Sequence, residues 1–237
     1  ELSAGSNVAG RYRLERQIAR GGMGSVWLAT HLQLDAPVAI KFMTTNLEPS
    51  LIARFEREAK ACARLNSPHI VKVSDFGVEN DAPFMVMELL SGEDLGARLK
   101  RDISVPLDRL AVMADQIGRG LSVAHEAGIV HRDLKPANVF LARAGREEVV
   151  KLLDFGVARE TEQRMVDDLT TSGVILGSPH HMSPEQAAGE PVDGRSDLWS
   201  FGVLLYQSLT GRRPFDGPNL TSILLAITSR SPTPWRS

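Results

Sequence analysis

The run His131-Arg132-Asp133-Leu134-Lys135-Pro136-Ala137-Asn138, followed by Asp154-Phe155-Gly156, constrains this chain more than any other stretch. Within a short span it assembles two acids, a lysine and an asparagine, a set suited to chemistry on metal-bound phosphate. The plain alternative is a basic turn followed by an ordinary strand end. A second specified run downstream of the first makes coincidence a poor explanation.

Such a set needs a core to hold it, and 237 residues suffice for one large domain or two lobes. Apolar residues are 43% and charged residues 24%, which is ordinary globular usage. With 27 basic and 29 acidic side chains the net charge is −2, so no nucleic-acid or membrane-surface partner is expected. One cysteine, Cys62, excludes an internal disulfide framework and suits a reducing compartment. No apolar run reaches the length of a membrane span, and no basic-then-apolar signal segment opens the chain. The expected setting is cytoplasmic, either alone or as the cytoplasmic part of a larger, membrane-anchored protein.

The first third reads as strands around one helix. Arg11–Ile18 and Ser25–Thr30 alternate loosely and flank the turn Ala19-Arg20-Gly21-Gly22-Met23-Gly24. Glycines there let backbone approach a bulky anion, although such a hairpin taken alone is more often a plain turn. Val38–Met43 reads as a strand with Lys41 embedded in an apolar run, and a buried ammonium needs a partner. From Leu51 to Leu65, Leu51, Ile52, Phe55, Ala59, Cys62 and Leu65 recur at helical spacing, with Glu58 on the same face. An inward lysine and an inward glutamate on adjacent elements should pair; the plain alternative is an edge lysine and a rim glutamate. Val71–Gly77 and Phe84–Glu88 continue as strands.

After Leu89-Leu90-Ser91-Gly92 the pattern turns mostly helical, which places a boundary there. Leu107–His125 is expected as a buried core helix. Asp197–Thr210 is apolar on most sides, as befits a helix at the centre of a lobe, and Leu220–Ser229 is a further helical stretch.

Taken together, these residues resemble the bacterial (eukaryotic-like) Ser/Thr protein kinases from about Tyr12 to Phe215. The glycine loop matches at Gly21, Gly24 and Val26, the lysine strand as Val38-Ala39-Ile40-Lys41, and the helix glutamate as Glu58. The catalytic loop at 131–138 and Asp154-Phe155-Gly156 are complete. Ser183-Pro184-Glu185 stands for the alanine-proline-glutamate element, and Asp197-Leu198-Trp199-Ser200-Phe201-Gly202 for the aspartate-tryptophan helix. The resemblance implies an α+β, two-lobed kinase fold: a β-rich N-lobe over 1–88, a hinge at 89–92 and a helical C-lobe over 93–237.

It also implies roles. ATP is expected under the loop formed by Ile18, Ala19, Arg20, Gly21, Gly22, Met23 and Gly24. Lys41 would hold the α- and β-phosphates, oriented by Glu58, while Asn138 and Asp154 would coordinate Mg²⁺. Asp133 would take or orient the proton of an incoming Ser/Thr hydroxyl, and Lys135 would steady the γ-phosphate. Adenine would lie between Val26 and Ala39 on one side and Phe140 on the other, with backbone bonds from Glu88 and Leu90. Met87 is the expected gatekeeper and Asp94 the residue near the ribose. Protein substrates with Ser or Thr acceptors follow; a pseudokinase scaffold or an inactive fragment is the opposing reading.

Three departures stand out. Ala19 occupies the place of the family's first loop glycine, and Ser178 replaces a threonine. Kinases of this family continue through further C-terminal helices, one bearing an arginine for the glutamate at Glu185. No candidate is present, so the expected lower lobe lacks those helices. Cys62 would join a spine with Val73, His131 and Phe155, as a small buried hydrophobe rather than a redox switch. The pair His180-His181 lacks the companions of a metal site. Thr170, Thr171 and Ser172, near Arg132, are expected as phosphorylation sites, modified between molecules in a transient homodimer.

Overall fold

The structure, a computed structural model, describes residues 2–21, 24–43, 49–145, 147–155 and 179–235, without the side chains of residues 49–51, 54 and 58. The chain divides into two compact units, Glu1–Asn66 with Val71–Ser91 and Ser67–Ile70 with Gly92–Ser237.

The first unit is built on an antiparallel sheet of six strands in the order β1-β2-β3-β4-β6-β5. These are β1 (Asn7–Val8), β2 (Tyr12–Gly21), β3 (Gly24–His31), β4 (Ala36–Met43), β5 (Val73–Glu79) and β6 (Ala82–Glu88). Cross-strand register sorts the side chains. Trp27 faces Ile40, which faces Val86, and Phe42 faces Phe84, so these residues share one side with Leu14 and Ala29. All are buried, and the Phe42 and Phe84 rings sit 5.9 Å apart. Each of the larger side chains contributes about 1.5–3 kcal/mol by leaving water. The opposite side carries Val26, Leu28, Ala39, Lys41, Met85 and Met87, of which Ala39, Met85 and Met87 are buried and the others half-buried. Helix α1 (Pro49–Ala63) buries Phe55, Ala59 and Cys62 on the face its periodicity implies.

The strands β2 and β3 run further into the glycine turn than their sequence pattern suggests, pairing Ala19 with Val26 and Gly21 with Gly24. Gly24 has a φ of 142°, and a Cβ there would run into the Phe42 carbonyl of the neighbouring strand. Its lack of a side chain is therefore required by the hairpin's own packing, before any ligand is considered.

The second unit combines a three-stranded sheet with helices. β7 (Gly92–Asp94), β8 (Val139–Ala144) and β9 (Glu147–Leu152) pair antiparallel in that order, an element the sequence pattern did not disclose. Ile70 adds a bridge to Leu152, and the His69 carbonyl accepts from the Leu152 N–H at 2.8 Å. Helices follow as α2 (Leu95–Asp102), α3 (Leu107–Glu126), α4 (Pro184–Ala188), α5 (Gly194–Thr210) and α6 (Leu220–Ser229). The α3 stripe Leu110, Met113, Ile117, Leu121 and Ala124 is buried as its spacing requires. Helix α5 differs from expectation. Its buried side holds Ser196, Asp197, Ser200 and Ser208 beside Val203 and Leu204, while Leu198 is 58% exposed. Ser196, Asp197 and Ser200 face inward because backbone and side-chain groups there pair with them, whereas the Ser208 hydroxyl is buried without a hydrogen-bond partner among the described residues.

Gly24→Ala should cost about 1–3 kcal/mol of stability in urea unfolding, from strain at a positive φ together with the clash. Gly21→Ala, where a Cβ meets nothing within 4 Å, should change stability by no more than about 0.5 kcal/mol. Equal midpoints for the two variants would refute the packing account.

Candidate active site

The catalytic-loop residues are assembled around one buried carboxylate. Asp197, in the first turn of α5, is fully buried. Its Oδ2 accepts from the His131 N–H at 2.8 Å and from His125 Nε2 at 2.7 Å. Its Oδ1 accepts from the Arg132 N–H at 2.8 Å. Arg132 has a φ of 63°, in the left-handed region, which costs a non-glycine residue about 1–3 kcal/mol and persists only where its surroundings impose it. Here they do. The N–H is held by Asp197, and the Arg132 carbonyl accepts from Gln186 Nε2 at 2.8 Å.

His131 is entirely buried, and its Nε2 donates to the Leu153 carbonyl at 2.9 Å. Its Nδ1 then accepts from the Asp133 N–H at 3.3 Å, so the neutral ring satisfies both contacts. Burial pushes its pKa below the ordinary histidine value. The ring also meets Phe155 with centroids 4.6 Å apart.

On this frame, Asp133 Oδ2 accepts from Lys135 Nζ at 2.8 Å and from Asn138 Nδ2 at 3.1 Å. Asn138 Nδ2 also donates to the Asp133 carbonyl at 2.8 Å. The amide nitrogen of Asn138 is thus committed to Asp133, which orients the amide oxygen as the atom a hard cation takes. The Leu153 N–H donates to the Asn138 carbonyl at 2.9 Å, tying the loop to the segment that presents Asp154, itself at φ 50°. Among the described residues no group of three or more His, Cys, Asp or Glu side chains could hold a metal. Asn138 and Asp154 offer one amide and one carboxylate oxygen, which fits a cation that arrives with phosphate ligands of its own.

In the first unit, Ala19, Val26, Ala39, Lys41 and Met87 lie on the side of the sheet opposite Ile40 and Phe42, fixed there by the pairs Ala19–Val26, Val26–Lys41 and Ala39–Met87. Ile18 is 40% exposed, and Arg20 and Gly21 are exposed. Glu88 is committed to Lys72 twice, its N–H to the Lys72 carbonyl at 3.0 Å and its Oε1 to the Lys72 N–H at 2.8 Å. Leu90 is half-buried.

In the second unit, Asp94 accepts from the Ala97 N–H at 2.8 Å and so caps α2, a role its position before a helix could have disclosed. Phe140 pairs with Asp94 across β7 and β8 and is half-buried. The backbone of Glu58 lies in α1. Its side chain lies outside the described residues, and so therefore does its pairing with Lys41. Gly22, Met23, Thr170, Thr171, Ser172 and Ser178 also lie outside them.

Beyond the catalytic loop, Ser183 caps α4 in a reciprocal box with Gln186. The Ser183 N–H donates to Gln186 Oε1 at 3.0 Å and the Gln186 N–H to Ser183 Oγ at 3.3 Å. Glu185 accepts from the Ser196 hydroxyl. His180 and His181 are engaged with protein. His180 Nε2 lies 3.2 Å from Asp216 Oδ1 and 2.9 Å from Arg213 Nη1, and His181 Nε2 donates to Gln207 Oε1 at 3.0 Å. Burial pushes the His181 pKa down to about 4.

In the sequence Asp197 stands out only as part of a motif. The signal for its role was a carboxylate in the first turn of a largely apolar helix, which cannot be buried without donors. Asp197→Ala should lower the stability measured by urea unfolding by about 2–4 kcal/mol, since two buried N–H groups lose their acceptor. Wild-type stability would show that the loop holds itself.

Residues 12–233 match the protein kinase domain family. The chain is 42% identical over 227 residues to the serine/threonine-protein kinase pkn2 of Myxococcus xanthus, covering 95% of this chain and 27% of that protein. It is 38% identical over 237 residues to the serine/threonine-protein kinase PknA of Mycobacterium tuberculosis, covering 97% of this chain and 54% of that protein. The chain thus spans between about a quarter and about half the length of these relatives. Among solved structures, the PknI kinase domain of Mycobacterium tuberculosis superposes with a TM-score of 0.75 at 27% identity, covering 96% of this chain and 85% of that one. With motifs, loop geometry and near-complete coverage in agreement, the chain belongs to the protein kinase domain family.

Proposed function

We propose that this chain is a Ser/Thr protein kinase domain that transfers the γ-phosphoryl group of ATP to protein hydroxyls. The observation that carries this reading is the Asp133 carboxylate, held at one oxygen by Lys135 and Asn138 on a loop anchored to a buried aspartate. In the step proposed, the acceptor hydroxyl oxygen bonds to the γ-phosphorus, the bond to the ADP oxygen breaks, and the hydroxyl proton passes to Asp133. Lys135 neutralises charge on the transferred group, and Lys41, oriented by Glu58, holds the α- and β-phosphates. Asn138 and Asp154 hold Mg²⁺, which when bound neutralises charge on the phosphate oxygens. Val26, Ala39, Met87, Glu88, Leu90, Asp94 and Phe140 are assigned to the nucleoside, with residues 89–92 as the hinge.

Presence of Lys41, Glu58, Asp133, Asn138 and Asp154 together favours turnover over a binding scaffold. A cytoplasmic setting suits the single cysteine, and no described helix is long and apolar enough to cross a membrane.

Two measurements test this. Radiolabelled ATP with casein as acceptor should label Ser or Thr, and Asp154→Asn should reduce the rate at least roughly 100-fold without unfolding. Near-normal turnover by that variant would sink the mechanism. Second, phosphate on Thr170, Thr171 or Ser172 would add about −1.5 to −2 charge and strong acceptors for Arg132. Incubation with MgATP should therefore produce phosphopeptides from this cluster, and the triple alanine variant should be less active. An unmodified cluster, or a fully active triple variant, rules out activation by this route.

A further inference from the structure

Asp133 can act only if its peptide is aimed, and the residue before it sits in an unfavourable backbone region. The Arg132–Asp133 peptide is fixed at both polar ends. Its N–H, from Asp133, donates to the His131 carbonyl at 2.8 Å. Its carbonyl, from Arg132, accepts from Gln186 Nε2 at 2.8 Å across 54 residues of sequence. Rotation of this plane would redirect the Cα–Cβ bond of Asp133, and with it the carboxylate that Lys135 and Asn138 share.

Gln186 is well placed to resist that rotation because its own amide is immobilised. Its Oε1 accepts from the Ser183 N–H at 3.0 Å, its N–H donates to Ser183 Oγ, and Pro184 at the start of α4 stiffens the turn between them. The amide is thus used at both ends, with oxygen toward the cap and nitrogen toward the catalytic loop. Only an amide of this length does both: glutamate keeps the acceptor and loses the donor, and methionine loses both.

We infer that Gln186 is a positioning residue for phosphoryl transfer, holding the Arg132–Asp133 peptide so that the Asp133 carboxylate points at the acceptor hydroxyl. The inference rests on the kinase reading above. It also gives the four-residue run Ser183–Gln186 a task beyond starting a helix, by coupling α4 to the catalytic loop through one hydrogen bond. The bond acts on the chemical step and not on nucleotide binding, since among the described residues the Gln186 hydrogen bonds run to the loop backbone and to its own cap.

The test compares wild type, Gln186→Glu and Gln186→Met in steady-state transfer from radiolabelled ATP to casein, with near-ultraviolet circular dichroism as the check on folding. Both variants should lose about 10- to 100-fold in kcat, with KM for ATP changed less than about twofold, as befits a misaimed catalytic group. Because Gln186→Glu retains the bond to the Ser183 N–H, an equal loss in both variants assigns the effect to the donor bond. Wild-type kcat in folded Gln186→Glu overturns the inference while leaving the kinase reading intact. Loss of tertiary structure in both variants, or a rise in KM matching the fall in kcat, also overturns it, in favour of a general structural role. A wild-type chain that transfers no phosphate overturns the kinase reading and this inference with it.

Discussion

One buried carboxylate carries the arrangement of the second unit. Asp197 receives two consecutive backbone N–H groups and the His125 imidazole, and without them an ionised group at that depth would be prohibitively costly. The dependence is mutual. Arg132 is turned into the left-handed region, and that turn persists because Asp197 accepts from the His131 and Arg132 N–H groups before it while Gln186 holds the Arg132 carbonyl after it. Helix α5 is therefore less a hydrophobic strut than a polar one. Two of its inward serines serve the same end, with Ser200 donating to the His181 carbonyl and Ser196 to Glu185.

From that anchor the chemistry is built by short-range rules. His131 is held neutral between a carbonyl and an N–H, which lets it fill space against Phe155 without carrying charge into the core. Asp133 and Asn138 are tied by two hydrogen bonds, so the position of one specifies that of the other. Buried polar networks of this kind are costly when half satisfied and rigid when complete. The loop's value lies in that rigidity, because electrostatic stabilisation requires groups already oriented before reaction.

The first unit solves a different problem. Its sheet buries one side with Trp27, Ile40, Phe42, Phe84 and Val86 and carries Lys41, half-buried, on the other. Strand alternation makes that possible: residues 40 and 42 enter the core while 39 and 41 face the opposite way. A lysine within an apolar run is then no anomaly, since the run serves two faces. Gly24 belongs to the same geometry, its missing side chain allowing β3 to lie against the Phe42 backbone.

The sequence by itself determined the chemical inventory and most elements. The motifs at 131–138 and 154–156, the core stripes of α1 and α3, and five of the six strands of the first sheet are legible because each depends on residues close in the chain. Tertiary structure alone decided which groups hold that inventory in place. Asp197 reaches the catalytic loop across 66 residues and Gln186 across 54, and no local periodicity encodes such a meeting. The sheet of β7, β8 and β9 escaped for a related reason, since its strands are short and β7 is joined to β8 only after two helices have intervened. Likewise α5 reads as an apolar helix, yet four of its six buried residues are polar. Periodicity reports that a face is inside, whereas the partners waiting there decide whether a polar group can join it.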